Sequence, residues 1–212
     1  MSAHPSVLVT LDGEVRDPDQ PLLCADDLAA VRGDGVFETL LVRDGRTCKV
    51  EAHLQRLAHS ASMLDLPEPD LERWRRAIGI AEGQWGSQTP GEGALRLVYS
   101  RGRESGGPPT AYVMISPVAD RVATVRRDGV SAVLLDRGLP ATGVESMPWL
   151  LAGAKTLSYA VNMAAWAVRL FVCIFFSAPR PPRAGLFVLY SVPQNHVVRL
   201  RRNVRGRRRR FH

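Results

Sequence analysis

Among the 28 basic side chains of this 212-residue chain only two are lysines, Lys49 and Lys155; every other one is arginine. Lys155 lies in WLLAGAKTLSYAVN, residues 149–162, directly after Ala152, Gly153 and Ala154. Chemistry that joins an amine to a carbonyl carbon needs an amine that is neutral near physiological pH. Small and apolar surroundings disfavour the ammonium form, lower the lysine pKa and make the nitrogen a nucleophile. The small residues also leave room for a flat ring to approach the backbone. A plainer assignment is open beside this one: a lysine in the solvated first turn of a helix.

Other chemistries find less support. RESGGPP, residues 103–109, has the glycines of a phosphate loop, but no strand–loop–helix with Lys-Ser/Thr follows it. The five histidines form no pair at metal-ligand spacing; His53 and His59 are six apart and share no helix face. No metal site is expected. Cys24, Cys48 and Cys173 are odd in number and scattered, which argues against a disulfide framework and fits a reducing cytoplasm. The start, MSAHPSVLVTLDG, has neither a basic n-region nor a long apolar run, so no signal peptide is expected.

The elements that must position Lys155 are legible in outline. VLVTLDGEV alternates like a strand with a turn at Asp12-Gly13. VFETLLV and TCKV flank the hairpin turn RDGR. In EAHLQRLAHSASMLDL, Leu54, Leu57, Ala58, Ala61 and Leu64 fall on one helix face, and Pro67 and Pro69 end it. DLERWRRAIGIAEG is a second amphipathic helix with Asp70 as N-cap. The strands ALRLVYS and TAYVMISPV follow; RVATVRRDG is expected as a connector or edge strand, and VSAVLLD as a strand. A helix is expected from near Ala154 at least to Ala167.

Charge divides the chain sharply. Residues 1–155 carry 17 basic and 21 acidic side chains, whereas residues 156–212 carry 11 arginines and no acid. A break of this kind marks a tail or a change of origin.

Four stretches, in order and at matching spacing, resemble the class IV aminotransferases, the fold-type IV pyridoxal-phosphate enzymes. They are RGDGVFETLLVRDGR, EAHLQRLAHSASMLDLP, ALRLVYSRG and AGAKTLSYAVNMAA. The family includes branched-chain and D-amino-acid aminotransferases and 4-amino-4-deoxychorismate lyase, and the likeness covers residues 7 to about 167. It implies an α/β (α+β) two-domain enzyme using pyridoxal 5′-phosphate. Residues 1–118 would form the N-terminal domain and 119–168 the start of the cofactor domain, which would be incomplete. By resemblance, Lys155 is the Schiff-base lysine and proton shuttle, and Arg56 in HLQRL holds the cofactor phosphate. Tyr159 would sit near the cofactor's phenolic oxygen, or pack as an ordinary helix residue. Arg96 and Arg101 lie near positions that bind substrate carboxylates, for which a planar guanidinium is suited; surface ion pairing is the alternative. Arg32 stands where relatives often carry Tyr or Phe, so it places a cation at the pocket or points to solvent. Gly33 and Gly35 fit a tight turn before the strand. Glu38 and Thr39 follow the family pattern without an assigned step.

The family continues for roughly another hundred residues, through a glutamate that pairs with the cofactor's ring nitrogen. Residues 169–212 contain no carboxylate to do that work. They are expected to be a disordered Arg/Pro-rich tail, and a reading-frame shift near codons 164–170 is one origin for it. Residues 160–178 carry a single charge, but Arg169 within them would cost about 2.5–3.5 kcal/mol in a bilayer, so no membrane role is expected. RLRRNVRGRRRR offers non-specific phosphate contacts only, with no folded nucleic-acid reader beside it. The expected function is amino-group transfer to a 2-oxo acid, or release of pyruvate from aminodeoxychorismate to give 4-aminobenzoate. It is expected in a cytoplasmic homodimer, with activity lowered by the missing half. The alternative is an inactive remnant, or a protein that meets membranes or nucleic acid through its basic tail.

Overall fold

The computed structural model describes residues 6–88, 91–129, 131–136, 146–165 and 186–191. Strands β1 (Val7–Thr10), β2 (Val15–Arg16), β3 (Gly35–Arg43), β4 (Arg46–Thr47), β5 (Gly93–Ser100) and β6 (Thr110–Pro117) form one sheet in the order β2-β1-β6-β5-β3-β4. Every pairing in it is antiparallel. The class is therefore α+β, with helices set on one face of an antiparallel sheet. These helices are α2 (Val50–Met63) and α3 (Leu71–Gln88).

The strand alternation explains the layering. Val36, Leu40 and Val42 of β3, Leu95, Leu97 and Tyr99 of β5, and Val113 and Ile115 of β6 point to the helices. They meet Leu54, Leu57 and Ala61 of α2 and Trp74, Ala77, Ile78, Ala81 and Trp85 of α3. Both tryptophans are fully buried. A fully buried large apolar side chain contributes about 1.5–3 kcal/mol, so this one interface dominates the stability of the described fold. Asp70 caps α3 as its sequence position predicts, accepting from the N–H groups of Glu72 and Arg73.

The opposite face of the sheet carries the other parity. Phe37 and Thr39 on β3 stand opposite Val98 and Arg96 on β5, which in turn stand opposite Tyr112 and Met114 on β6.

One short helix is added and two local expectations are corrected. Residues 28–32 form helix α1 (Leu28–Arg32), which five residues are too short to announce by periodicity. Its caps were nonetheless present: Asp27 Oδ1 accepts from Ala29 N–H at 2.9 Å, and Gly33 closes it in the left-handed conformation at φ 71°. RVATVRRDG is not a strand but α4 (Arg121–Asp128), ended by Gly129, with Arg126 and Arg127 in the last turn where cations suit the helix dipole. TCKV contributes only its first residue to a strand, because Lys49, at φ 56°, turns the chain into α2.

A second, two-stranded sheet pairs β7 (Ser131–Asp136) antiparallel with β8 (Leu186–Ser191). The rest of the Arg/Pro-rich tail, 169–185 and 192–212, and the 166–178 part of the apolar run lie outside the described residues. Among the described residues, no helix is long and apolar enough to cross a membrane.

Candidate active site

Lys155 does not open a helix. Helical structure begins at residue 160, and Lys155 lies on an extended segment laid along β3. Thr156 bridges Val36 in antiparallel fashion. Phe37 N–H donates to Lys155 C=O at 3.1 Å, and Leu157 N–H to Gly35 C=O at 2.8 Å. Lys155 N–H donates to Ser60 Oγ on α2 at 3.1 Å. The segment is thus tied to both layers through its main chain. The local sequence could not announce this, since the partners lie about a hundred residues upstream.

Two glycines make the approach possible. A Cβ on Gly33 would come within 2.9 Å of the Ser158 backbone, and one on Gly35 within 2.7 Å of Leu157 Cδ1 and of Tyr99 O. The RGDG turn is therefore glycine-bearing because the lysine segment lies on it. Gly35→Ala is expected to cost about 1–3 kcal/mol, the ordinary penalty of overpacking, and to shift residues 155–158. Thermal unfolding would show the first effect, and slower carbonyl attachment at Lys155 the second.

The Lys155 side chain passes over the Phe37 ring, with Nζ 3.7 Å from the ring centroid. Among the described residues no carboxylate pairs with Nζ. Burial lowers the amine's pKa, and the positive charges of Arg56 and Arg96 lower it further, while Glu38 pulls it up. The Phe37 ring also favours the ammonium, by about 0.5–1 kcal/mol at partly exposed sites. On balance the pKa stands below the ordinary lysine value of 10.5. Tyr159 meets the same Phe37 ring edge-on, with centroids 5.8 Å apart, and is itself about half exposed.

Arg56 is organised from below. Glu38 faces the helix layer and is fully buried. Its Oε1 accepts from Arg56 Nε and its Oε2 from Arg56 Nη2, both at 2.5 Å, and Oε2 also accepts from His53 Nδ1 at 2.8 Å. Burial pushes the Glu38 carboxyl up, but the hydrogen bonds and charges of Arg56 and His53 outweigh it and hold the group below its ordinary value. An ionised carboxylate accepts only, so His53 Nδ1 carries the proton of that bond. The Arg56 side chain is half exposed, and Nη1 has no protein acceptor among the described residues. The sequence alone assigns Glu38 no role. The signal was there: an acid at an inward position between Val36 and Leu40 of an apolar strand must find a partner.

The remaining arginines divide. Arg96 projects from the same sheet face as Phe37, one strand away, and its charge reaches Lys155. Arg101 is spent on the protein: it donates to Asp34 Oδ2 at 2.9 Å, to Asp65 O at 3.1 Å and to Leu64 O at 2.8 Å, tying the end of β5 to the carbonyls that close α2. Arg32 ends α1, is exposed and lies 3.4 Å from Asp34 Oδ2. The geometry therefore sets Lys155, Tyr159 and Arg96 on the Phe37 side, with the charge of Arg56 reaching Lys155 from the helix layer, while Arg32 and Arg101 share Asp34.

Comparison with known proteins gives the same direction. The profile of the family described as amino-transferase class IV matches residues 35–169. A bifunctional aminodeoxychorismate lyase / D-amino acid transaminase of Mycobacterium tuberculosis is 72% identical over 158 residues, covering 74% of this chain and 55% of that protein. The PLP-bound form of a hypothetical aminotransferase from Mycobacterium tuberculosis superposes with TM-score 0.75 at 68% identity, over 79% of this chain and 60% of that one. The α-ketoglutarate- and PMP-bound form of that aminotransferase gives TM-score 0.76 at 68% identity, over 78% and 59%. The chain spans 55–60% of the length of these relatives.

Proposed function

This chain belongs to the amino-transferase class IV family, and from that premise we propose that Lys155 attaches pyridoxal 5′-phosphate and serves amino-group exchange between an amino acid and a 2-oxo acid. The observation that carries the reading is Lys155 Nζ, its pKa lowered, poised over Phe37 with no carboxylate partner among the described residues. The residues present fit the group at two of its ends: an amine for its aldehyde, and an unpartnered guanidinium edge on Arg56 for its phosphate. When bound, the cofactor supplies an electron sink for charge developing at the substrate Cα.

The chain's own residues then have distinct tasks. Lys155 Nζ would hold the cofactor at its aldehyde carbon and would take up and return the proton at the substrate Cα. Arg56 binds the phosphate. Arg96 faces the same side of the sheet and receives the substrate carboxylate, for which a guanidinium fork is suited. Tyr159 closes the Phe37 side of the site. Cleavage of aminodeoxychorismate to 4-aminobenzoate and pyruvate is the second reading, favoured by the bifunctional relative; the same lysine serves both.

The acid that would sit on the ring nitrogen has no candidate in residues 156–212. Attachment at Lys155 does not require it, whereas stabilising negative charge at Cα does. We place this activity in the cytoplasm, in a homodimer whose N-terminal domain spans residues 1–118.

The pH dependence of attachment tests the reading. Only the neutral amine reacts, so the attachment rate rises with pH and levels off at the folded-state pKa. For Lys155 the plateau is expected at a lower pH than for an ordinary lysine amine, whose pKa is 10.5, and stopped-flow absorbance compares it with a free alkylamine as reference. A Lys155 profile that levels off no earlier than the reference would contradict the proposal.

A further inference from the structure

The fork of Arg56 on Glu38 explains more than local stability. A guanidinium is planar, so fixing two of its nitrogens fixes the direction of the third. Glu38 takes Nε and Nη2 with its two oxygens, and His53 steadies the carboxylate from the side. The carboxylate is fully buried on β3, a strand paired along both edges, whereas the Arg56 side chain is half exposed on α2. The rigid partner thus orients the mobile one. Only Nη1 is left without an acceptor among the described residues.

We propose that Glu38 is a positioning residue: its carboxylate, steadied by His53, aims the free edge of Arg56 at the phosphate of the cofactor. The inference rests on the reading of Arg56 as the phosphate-binding residue. It makes a claim that plain electrostatics opposes. A negative carboxylate beside Arg56 weakens the field felt by a phosphate dianion, so a purely electrostatic Arg56 would bind phosphate better without Glu38. If orientation dominates, phosphate binding worsens without it.

Glu38→Gln separates the two. The amide keeps the size of the side chain but has one acceptor oxygen, so the fork loses a leg. Pyridoxal 5′-phosphate and pyridoxal, titrated against the full 212-residue chain, differ by the phosphate alone. The readout is the ratio of their Kd values, and covalent attachment of pyridoxal to Lys155 reports in each variant that the pocket is folded. Wild type is expected to prefer the phosphorylated form. Glu38→Gln is expected to lower that preference by about tenfold or more, the usual scale for loss of a residue supporting a ligand-binding side chain; the effect of the lost Glu38 charge on Lys155 acts on both ligands alike and cancels in the ratio. Glu38→Asp, which keeps the charge but shortens the reach, is expected to lower it as well.

A preference kept or increased in Glu38→Gln would overturn the proposal. The double variant Glu38→Gln/Arg56→Gln, which avoids a stranded buried charge, locates the failure. If the double variant loses the preference and Glu38→Gln keeps it, Arg56 binds the phosphate without being positioned. If the double variant keeps it too, or wild type has none, the phosphate reading of Arg56 falls together with the proposal.

Discussion

Lys155→Ala is expected to abolish covalent capture of pyridoxal 5′-phosphate and to reduce amino-group transfer by at least about 10⁴-fold, since one nitrogen supplies both the nucleophile and the proton carrier. The fold should survive. The contacts that hold residues 155–157 against β3 and α2 are made by main-chain groups, which alanine retains. The change in stability should therefore stay within about 1 kcal/mol. Loss of activity with an unchanged unfolding midpoint would place the effect in the chemistry. Activity that persisted in the variant would remove Lys155 from the reaction altogether.

The largest expected effect on stability belongs to Arg56→Ala. It strands the fully buried Glu38 carboxylate with His53 as its one remaining side-chain partner among the described residues. Breaking a buried pair from one side costs about 3–5 kcal/mol. The lower end applies here, because the guanidinium is half exposed and solvent screens part of its attraction. The sign with pH follows from the direction of the shift. The folded pKa of Glu38 is held below its ordinary 4.5, so its contribution is fully present above that value and is lost as pH falls through the folded pKa. The gap between wild type and Arg56→Ala should thus be widest at neutral pH and close in acid. The double variant Glu38→Gln/Arg56→Gln should recover much of the loss at neutral pH, since both charges are gone. Urea titrations at two pH values measure all of this. A gap that widened in acid would contradict the assignment.

How far the sequence reached follows the range of the interactions. α2 and α3 were legible because their apolar positions repeat locally and Asp70 and the prolines mark their ends. The β3–β4 hairpin was legible from its Asp-Gly turn. α4 was not, because two valines in eight residues suggest a strand, while the glycine and arginines that favour a helix end carry little weight alone. The position of Lys155 is not legible for a different reason. Its apolar neighbours suggest a helix, but pairing with Gly35 and Phe37 satisfies the backbone of residues 155–157 instead. Local periodicity cannot see a partner that distant. Glu38 is a similar case: its identity is visible in VFETLLV, yet its meaning needs His53 and Arg56, which α2 brings onto it. Arg101 shows the converse, an arginine beside a site motif whose donors close α2 instead.

The central claim is that Lys155 is the amine this fold exposes to a carbonyl. It is tested most directly by incubating the 212-residue protein with pyridoxal 5′-phosphate, reducing with borohydride, digesting, and locating the modified residue by mass. The chain offers Lys49, Lys155 and its terminal amine. Stoichiometric label on the peptide containing Lys155, with Lys49 unmodified, is the predicted result. Substoichiometric label spread over all three amines would contradict the account, and the chain would then be a family member whose site does not assemble.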